Sequence, residues 1–508
     1  MKFFRSNFVL LCFPILLSII FAFLFQKWRL NGPVLLSYDA TFKYKQMLDY
    51  VDFGDFNFHY EYSEIDPEQN LIGHDWPIII KTTDGIKKIA YPEVLAILLS
   101  VFHGFGLDYY IGFVSFFLLL IELVVFGHIL RKYLGLENYW ILLAQFLLAA
   151  TTPNIAFIFQ FHETSISDIF NIFALLFVLK HITSARKQIP ALLLLSGLFF
   201  GIGALFRAEV IISAGVLMSV KSIFEFRKRS PKEIISDLAF FSLGFVISFG
   251  PYAIFNYLNS ESIFGNRVYS TYLEQSSRLR IFSDLILGNF LSGRIVVGLL
   301  EQAPYVFLTP LLLLFKNEKP EAKLLMYHGV FTILLTAIVS PNNSWGAGWG
   351  IRYFCTGLPS LIAAFVLLVR NSLKERKYIH IALSSVLLAV SLYVSYYGLK
   401  IIKESMKNVK ETQSIIQKAG DRMIFSSQDL FYYYAGIYIK DHTILQTQEG
   451  KFENYAFQRM LKVGPKNFCL HWSAFSPLPD EKLWATAKYE LTETFDLELH
   501  HLRCFTKH

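Results

Sequence analysis

Apolar and polar stretches alternate along the chain on a scale of about twenty residues. Hydrophobic runs recur at about 8–25, 112–130, 139–160, 164–180, 189–205, 208–224, 236–257, 296–315, 323–340, 354–370 and 378–399. A helix of that length crosses roughly 30 Å of hydrocarbon, so the pattern predicts eleven transmembrane spans. The first lies in "MKFFRSNFVLLCFPILLSIIFAFLFQKWR", which has a basic tip and no small-residue cleavage site after it. It reads as an uncleaved signal anchor. "YPEVLAILLSVFHGFG" (91–106) is apolar but short, and a full span there would put the basic "LRKYLG" on the wrong side. A membrane-embedded or re-entrant segment is expected, its backbone ends covered by protein.

Lys and Arg gather in every second connection: Lys2 and Arg5, Arg131 and Lys132, "KHITSARK" 180–187, "FRKRSPK" 226–232, "KNEKPEAK" 316–323 and "RNSLKERK" 370–377. That asymmetry makes the basic side cytoplasmic, with the N-terminus inside and the C-terminus outside. The outer connections are then about 26–111, 161–163, 206–209, 257–295 and 341–353. The expected fold is an α-helical polytopic membrane domain, 1–400, with a long first extracytoplasmic loop, 26–111. Residues 401–508 would follow as a small extracytoplasmic α/β or α+β domain, because "RMIFSSQDLFYYYAG" and "YELTETFDLELHHLRCF" read as strand-like and mixed segments.

Composition agrees with the pattern: 54% of 508 residues are hydrophobic and 17% aromatic, and mean hydropathy is +0.42, above an ordinary soluble domain. The formal net charge of +7 needs no nucleic-acid partner, since a cytoplasmic basic bias already calls for cations. The four cysteines are Cys12, Cys355, Cys469 and Cys504. In an oxidising compartment the last two are able to pair, though nothing in their spacing requires it. No C-x-x-C, H-E-x-x-H, Walker loop or helix-opening G-x-G-x-x-G occurs, so thiol-redox, zinc-protease and nucleotide-hydrolysis readings lack support.

Candidate chemistry sits at the outer connections, where ionisable groups at membrane depth face water or each other. Asp39 opens the amphipathic stretch "SYDATFKYKQMLDY"; as a plain structural residue it would be an N-cap. His162 and Glu163, in "FHETSISD", open another helix, where a carboxylate suits the positive dipole end. Arg207 and Glu209, in "GLFFGIGALFRAE", are either a neutralised hairpin tip or an arginine turned inward to hold an anion. Arg352 and Tyr353 follow the Gly- and Trp-rich "SPNNSWGAGWG", which serves as an interfacial anchor or as a loop whose backbone approaches a ligand closely. "GHDW" adds His74 and Asp75 in the first loop.

In this order and on one side, these stretches resemble the GT-C glycosyltransferases, especially the branch containing dolichyl-phosphate-mannose-protein mannosyltransferases and aminoarabinose transferases. The resemblance covers about 30–370. It rests on the Asp after the first span, a Tyr-Pro segment ending in Phe-Gly, the acidic second outer turn, "GLFFGIGALFRAE", "GPYAIFNYLNSESIFGN", and "WGAGWGIRYFCTGLP". Glu93, Ala208 and Phe255 stand where that branch carries a second proline, a proline and an arginine.

The resemblance implies a membrane enzyme that moves a sugar, with inversion, from a polyprenyl-phosphate donor to an envelope lipid, glycan or protein on the outer face of a bacterial cytoplasmic membrane. Asp39 would be the base, and Arg207 and Arg352 would hold the donor phosphate, since guanidinium forks match phosphate oxygens. His162 and Glu163, with His74 and Asp75 as further candidates, would orient the acceptor or hold a divalent cation; metal use varies among such enzymes. Two readings from other classes are a lipid or solute transporter, which favours midplane charges and inverted repeats, and an inactive scaffold that binds a lipid-linked sugar.

Overall fold

A computed structural model describes residues 2–28, 38–59, 79–81, 87–157, 162–184, 189–260, 262–265, 277–288, 297–315, 318–340, 352–426, 431–446, 464–473 and 489–507. Helices α1 (Lys2–Trp28) and α2 (Tyr38–Phe53) precede the hairpin β1 (Ile79–Lys81) and β2 (Lys87–Ile89), then α3 (Glu93–Gly104). Next come α4 (Ile111–Ile129), α5 (Asn138–Ala150), α6 (Asn154–Phe157), α7 (Glu163–Thr183), α8 (Pro190–Phe206), α9 (Glu209–Glu225) and α10 (Pro231–Ser260). The series continues with α11 (Arg278–Ile286), α12 (Leu299–Gln302), α13 (Pro320–Val339), α14 (Leu358–Lys374) and the long α15 (Tyr378–Ala419). Strand β3 (Met423–Ser426), helix α16 (Phe431–Ala435) and strands β4 (Ile444–Gln446), β5 (Asn467–Ser473), β6 (Tyr489–Asp496) and β7 (His500–Lys507) complete the chain.

Among the described residues five helices, Ile111–Leu134, Glu163–Thr183, Pro231–Asn259, Pro320–Val339 and Tyr378–Ala419, are long and apolar enough to cross a membrane. Shorter apolar helices accompany them at Leu11–Leu24, Glu93–Gly104, Asn138–Ala150, Pro190–Phe206 and Pro304–Leu314. The chain is an integral membrane protein. Two expected continuous spans are broken, both at proline. The run 139–160 stops at Ala150, because Pro153 has no N–H to continue the ladder and disfavours helical backbone before it; α6 restarts just after. Within 296–315 only α12 is α-helical among the described residues, and Pro304–Leu314 winds as a 3-10 helix with Pro310 inside. The 91–106 segment forms the 12-residue α3, about 18 Å long at 1.5 Å per residue.

Two compact units divide the chain: Met1–Phe25 with Phe113–Ile401, and Gln26–Gly112 with Ile402–His508. In the first, α8 packs against α7 and α10, and glycine decides how closely. A Cβ on Gly197 would meet the Phe241 carbonyl oxygen at 2.0 Å, and one on Gly244 would meet that of Leu194 at 2.1 Å. Backbones thus touch where side chains would hold helices 8–10 Å apart. Where α7, α9 and α10 approach, Lys221 reaches Asp237 (2.5 Å) and Glu225 (2.8 Å), Arg229 reaches the same two carboxylates (2.5 and 2.6 Å), and His181 stands 3.3 Å from Asp237. Arg229, in the basic connection 226–232, is therefore part of an ion-pair lock as well as of the charge bias.

The second unit holds a mixed sheet of order β4-β3-β5-β7-β6, parallel at β4/β3 and β3/β5 and antiparallel beyond. The end of α15 lays Ile415, Ile416 and Ala419 on one core with Ile424, Phe431, Leu502, Cys469 and Cys504. Cys469 and Cys504 are direct cross-strand partners and form a disulfide. Strand β6, buried at Tyr489 and then mostly exposed, is an edge of the sheet.

Candidate active site

In the first unit the outer-turn residues meet around Arg207. Helix α8 stops there because its backbone turns extended (φ −144°, ψ 117°), while its N–H still bonds the Gly203 carbonyl at 3.1 Å. Helix α9 restarts two residues later, and the side chain is driven inward, 2% exposed. Buried guanidinium needs opposite charge, and two carboxylates supply it. Nη1 donates to Glu163 Oε1 at 3.3 Å and Nη2 to Glu209 Oε1 at 2.7 Å. Arg352 comes to the same place: the Tyr353 ring has the Arg207 guanidinium 5.3 Å and the Arg352 guanidinium 5.4 Å from its centroid. Two like charges are thus held beside one ring and its attractive quadrupole.

His162 caps α7: its Nδ1 accepts the Thr164 N–H at 3.1 Å, and its ring stacks on Phe157 at 4.6 Å. Glu163 Oε2 lies 3.5 Å from that same Nδ1. Because Nδ1 accepts that N–H, a neutral imidazole here carries its proton on Nε2. Glu163, at 0% exposure, belongs to Arg207.

Farther along α7 the polarity continues, and sequence reading had not singled these residues out. Asp168 is buried, interacts with the Cys355 thiol and feels the charges of Glu122 and Arg207. Glu122 accepts from Asn154 at 3.1 Å. Next comes a closed chain. Ser360 donates to His328 Nδ1 (2.9 Å), His328 Nε2–H to Ser213 (2.9 Å), Ser213 to Asn171 Oδ1 (2.8 Å), and Asn171 Nδ2 to the Thr356 carbonyl (3.0 Å). Every proton has one place in this chain, so a neutral His328 joins α7, α9, α13 and α14 with no unmet polar group. The spacing 163, 168, 171 is the one available signal, a polar stripe on one face of an otherwise apolar helix.

The second unit carries Asp39 in the first turn of α2. From Ala40 to Asp49 every residue of that helix is buried. Lys43 sits over the Tyr91 ring at 4.7 Å, Gln46 donates to the Tyr91 carbonyl at 3.2 Å, and Lys45 pairs with Asp49 at 2.7 Å. Burial nevertheless pushes the Asp49 carboxyl up to about 6. Glu93, in the Tyr-Pro segment, is buried too. His74, Asp75 and the glycine-rich 341–351 lie outside the described residues. Asn256 pins the 262–265 turn through the Ile263 carbonyl at 3.1 Å, and Gly265 supplies the left-handed φ of +69° there. Among the described residues, no group of three His, Cys, Asp or Glu is arranged to hold a metal.

No family model matches the sequence, and no curated protein matches it. Solved structures do. The chain superposes on aminoarabinose transferase ArnT from Cupriavidus metallidurans bound to undecaprenyl phosphate with a TM-score of 0.57 and 12% identity, covering 97% of each chain. It superposes on the apo oligosaccharyltransferase of Archaeoglobus fulgidus with a TM-score of 0.54 and 10% identity, covering 92% of this chain and 70% of that one. Both are GT-C glycosyltransferases. At such identities the likeness speaks to architecture, and it extends over nearly the whole length: the chain has the GT-C fold.

Proposed function

We propose that this protein is a membrane glycosyltransferase of the GT-C type, taking a sugar from a polyprenyl-phosphate carrier and passing it, with inversion, to an envelope acceptor on the extracytoplasmic face. The observation that carries the reading is the pair of guanidiniums, Arg207 and Arg352, beside Tyr353. A monophosphate ester needs such paired donors, and the charge leaving with the lipid phosphate grows as the glycosidic bond breaks. In the resting protein Glu163 and Glu209 hold Arg207; the donor phosphate would take over donors that these carboxylates share. Asp39 is assigned as the base. It removes the acceptor hydroxyl proton as that oxygen bonds to the anomeric carbon, and the bond from that carbon to the phosphate oxygen breaks. His162 and Glu163, with His74 and Asp75, would orient the acceptor or hold a divalent cation. In this reading residues 26–111 and 401–508 lie outside, with the N-terminus cytoplasmic.

The test is transfer from an undecaprenyl-phosphate-linked sugar in membranes expressing Asp39→Asn or Arg352→Ala. Asp39→Asn is expected to lose transfer by at least about a hundredfold, the usual scale of a general base, at normal expression. Arg352→Ala is expected to raise KM for the donor. Unchanged transfer in Asp39→Asn would overturn the assignment of the base, and equal donor affinity in Arg352→Ala the phosphate site. Acceptors are identified by comparing envelope glycolipids and glycoproteins with and without the protein.

A further inference from the structure

Helix α2 is an unusual element to find buried. Its sequence, "YDATFKYKQMLDYVDF", has five charged side chains and three tyrosines against few strong apolar residues, and a helix of this length is marginal alone. Its order must come from what packs on it. On one side lies α3, through Tyr91 as described above. On another lie α16 and the 3-10 turn Gly436–Lys440, contributed by the far end of the chain. Phe42, fully buried, meets the Tyr432 ring at 5.4 Å. Tyr44, 3% exposed, lies in the fields of Asp108 and of Asp441, the latter just after the 3-10 turn.

We infer that the C-terminal domain is a positioning device for the N-terminal turn of α2: Tyr432 against Phe42, with α16 and the 3-10 turn packed on the helix, holds the backbone that carries Asp39. Phe42 and Tyr44 lie three and five residues from Asp39, within the next turn and a half, so a shift of α16 is passed to Asp39 through rigid helix. Displacement of about 1 Å is enough to lower a positioned reaction a hundredfold. The domain also has the rigidity this needs. Its core includes Phe431, the neighbour of Tyr432, which stacks on His471 at 3.9 Å on the sheet closed by the disulfide. The tail therefore acts on the reaction without contributing a group to the chemistry. This inference rests on Asp39 being the base only in its kinetic consequence; the clamp on α2 stands on packing.

The experiment uses the full-length protein in detergent or nanodiscs. Tyr432→Ala is expected to lower kcat about tenfold with KM for the undecaprenyl-phosphate sugar unchanged, and Tyr432→Phe, which keeps the ring, to restore it. Hydrogen exchange of amides 40–49 is expected to accelerate in Tyr432→Ala while amides 163–183 keep their protection. Phe42→Leu, which keeps a buried apolar side chain and removes the ring that Tyr432 meets, gives the same pattern more weakly and serves if Tyr432→Ala does not fold. Unchanged exchange across 40–49 in the folded variants would overturn the inference. Should Asp39→Asn leave transfer intact, the base assignment fails on its own, and faster exchange in α2 still supports the clamp.

Discussion

Arg207 and Glu163, 44 positions apart, meet at 3.3 Å with neither side chain more than 2% exposed. That pair ties the turn between α8 and α9 to the start of α7. It also makes Arg207 a structural element before any ligand arrives. Removing one partner of a buried pair leaves the other charge uncompensated, which costs about 3–5 kcal/mol. Arg207→Ala should therefore lower the melting temperature of the purified protein markedly. Arg207→Met with Glu163→Gln should recover most of that loss. A double variant as unstable as Arg207→Ala would show that the pair is not what holds the turn.

The glycine contacts make a sharper prediction, because they come with an internal control. Gly197→Ala and Gly244→Ala drive a methyl onto a carbonyl oxygen of the facing helix, so α8 and α10 must separate. Overpacking of this kind destabilises by about 1–3 kcal/mol or more. Gly215, in α9, has nothing within 4 Å of its Cβ position. There Gly→Ala should be neutral or stabilising by about 0.5–1 kcal/mol through helix propensity. Thermal denaturation of the three variants side by side tests the ordering.

Acid should loosen the C-terminal domain. Ser426, His471, His500 and Thr412 form a buried chain with separations of 2.8, 3.0 and 3.4 Å. Burial is the main cause that holds both imidazoles neutral, His500 down to about 4 and His471 well below its ordinary value, with His501 adding to both. The unfolded histidine titrates near 6.5. Between the two values the unfolded chain binds more protons, so stability falls as pH drops. The contribution is complete above about pH 6.5 and is lost towards about pH 4. Hydrogen exchange of 467–473 and 500–507 at pH 7.0 and 4.5 measures it, and His500→Gln should flatten the dependence.

Reduction of the Cys469–Cys504 bridge, which closes a separation of 35 residues, should destabilise the same domain by about 2–4 kcal/mol, the usual range for such loops. The measurement is again local. Exchange in 467–473 and 489–507 should rise after reductant or in Cys469→Ser with Cys504→Ser, while amides of α7 and α14 stay protected. Equal exchange with and without the bridge would show that the sheet carries itself.

How much of this was legible beforehand follows from the range of the interactions. Helices arise from runs of apolar residues, a property of neighbours in sequence, and so the apolar helices are visible from hydropathy, while the number that cross the membrane is not: five of the described helices are long and apolar enough. The exceptions, at Pro153 and within Pro304–Leu314, are where apolar character and backbone hydrogen bonding disagree, and backbone prevails. The turn at Arg207 was visible for the same local reason. Its partner Glu163 was seen as an acidic helix start, but not as Arg207's counter-ion.

Sequence by itself determined the membrane character, the helix-forming runs and the positions of charged turns, because burial in lipid and proline's missing N–H act residue by residue. Only the tertiary structure decided which charges neutralise which. It joined Arg207 to Glu163 and Arg352 to the same tyrosine, and closed Asn171, Ser213, His328 and Ser360 into one hydrogen-bonded chain. It also buried the polar helix α2 against α3 and against elements nearly four hundred residues later in the chain. The physical reason is the short reach of hydrogen bonds and ion pairs in a low-dielectric interior. They form only where folding has already brought distant segments within a few ångströms, and no local pattern records that meeting.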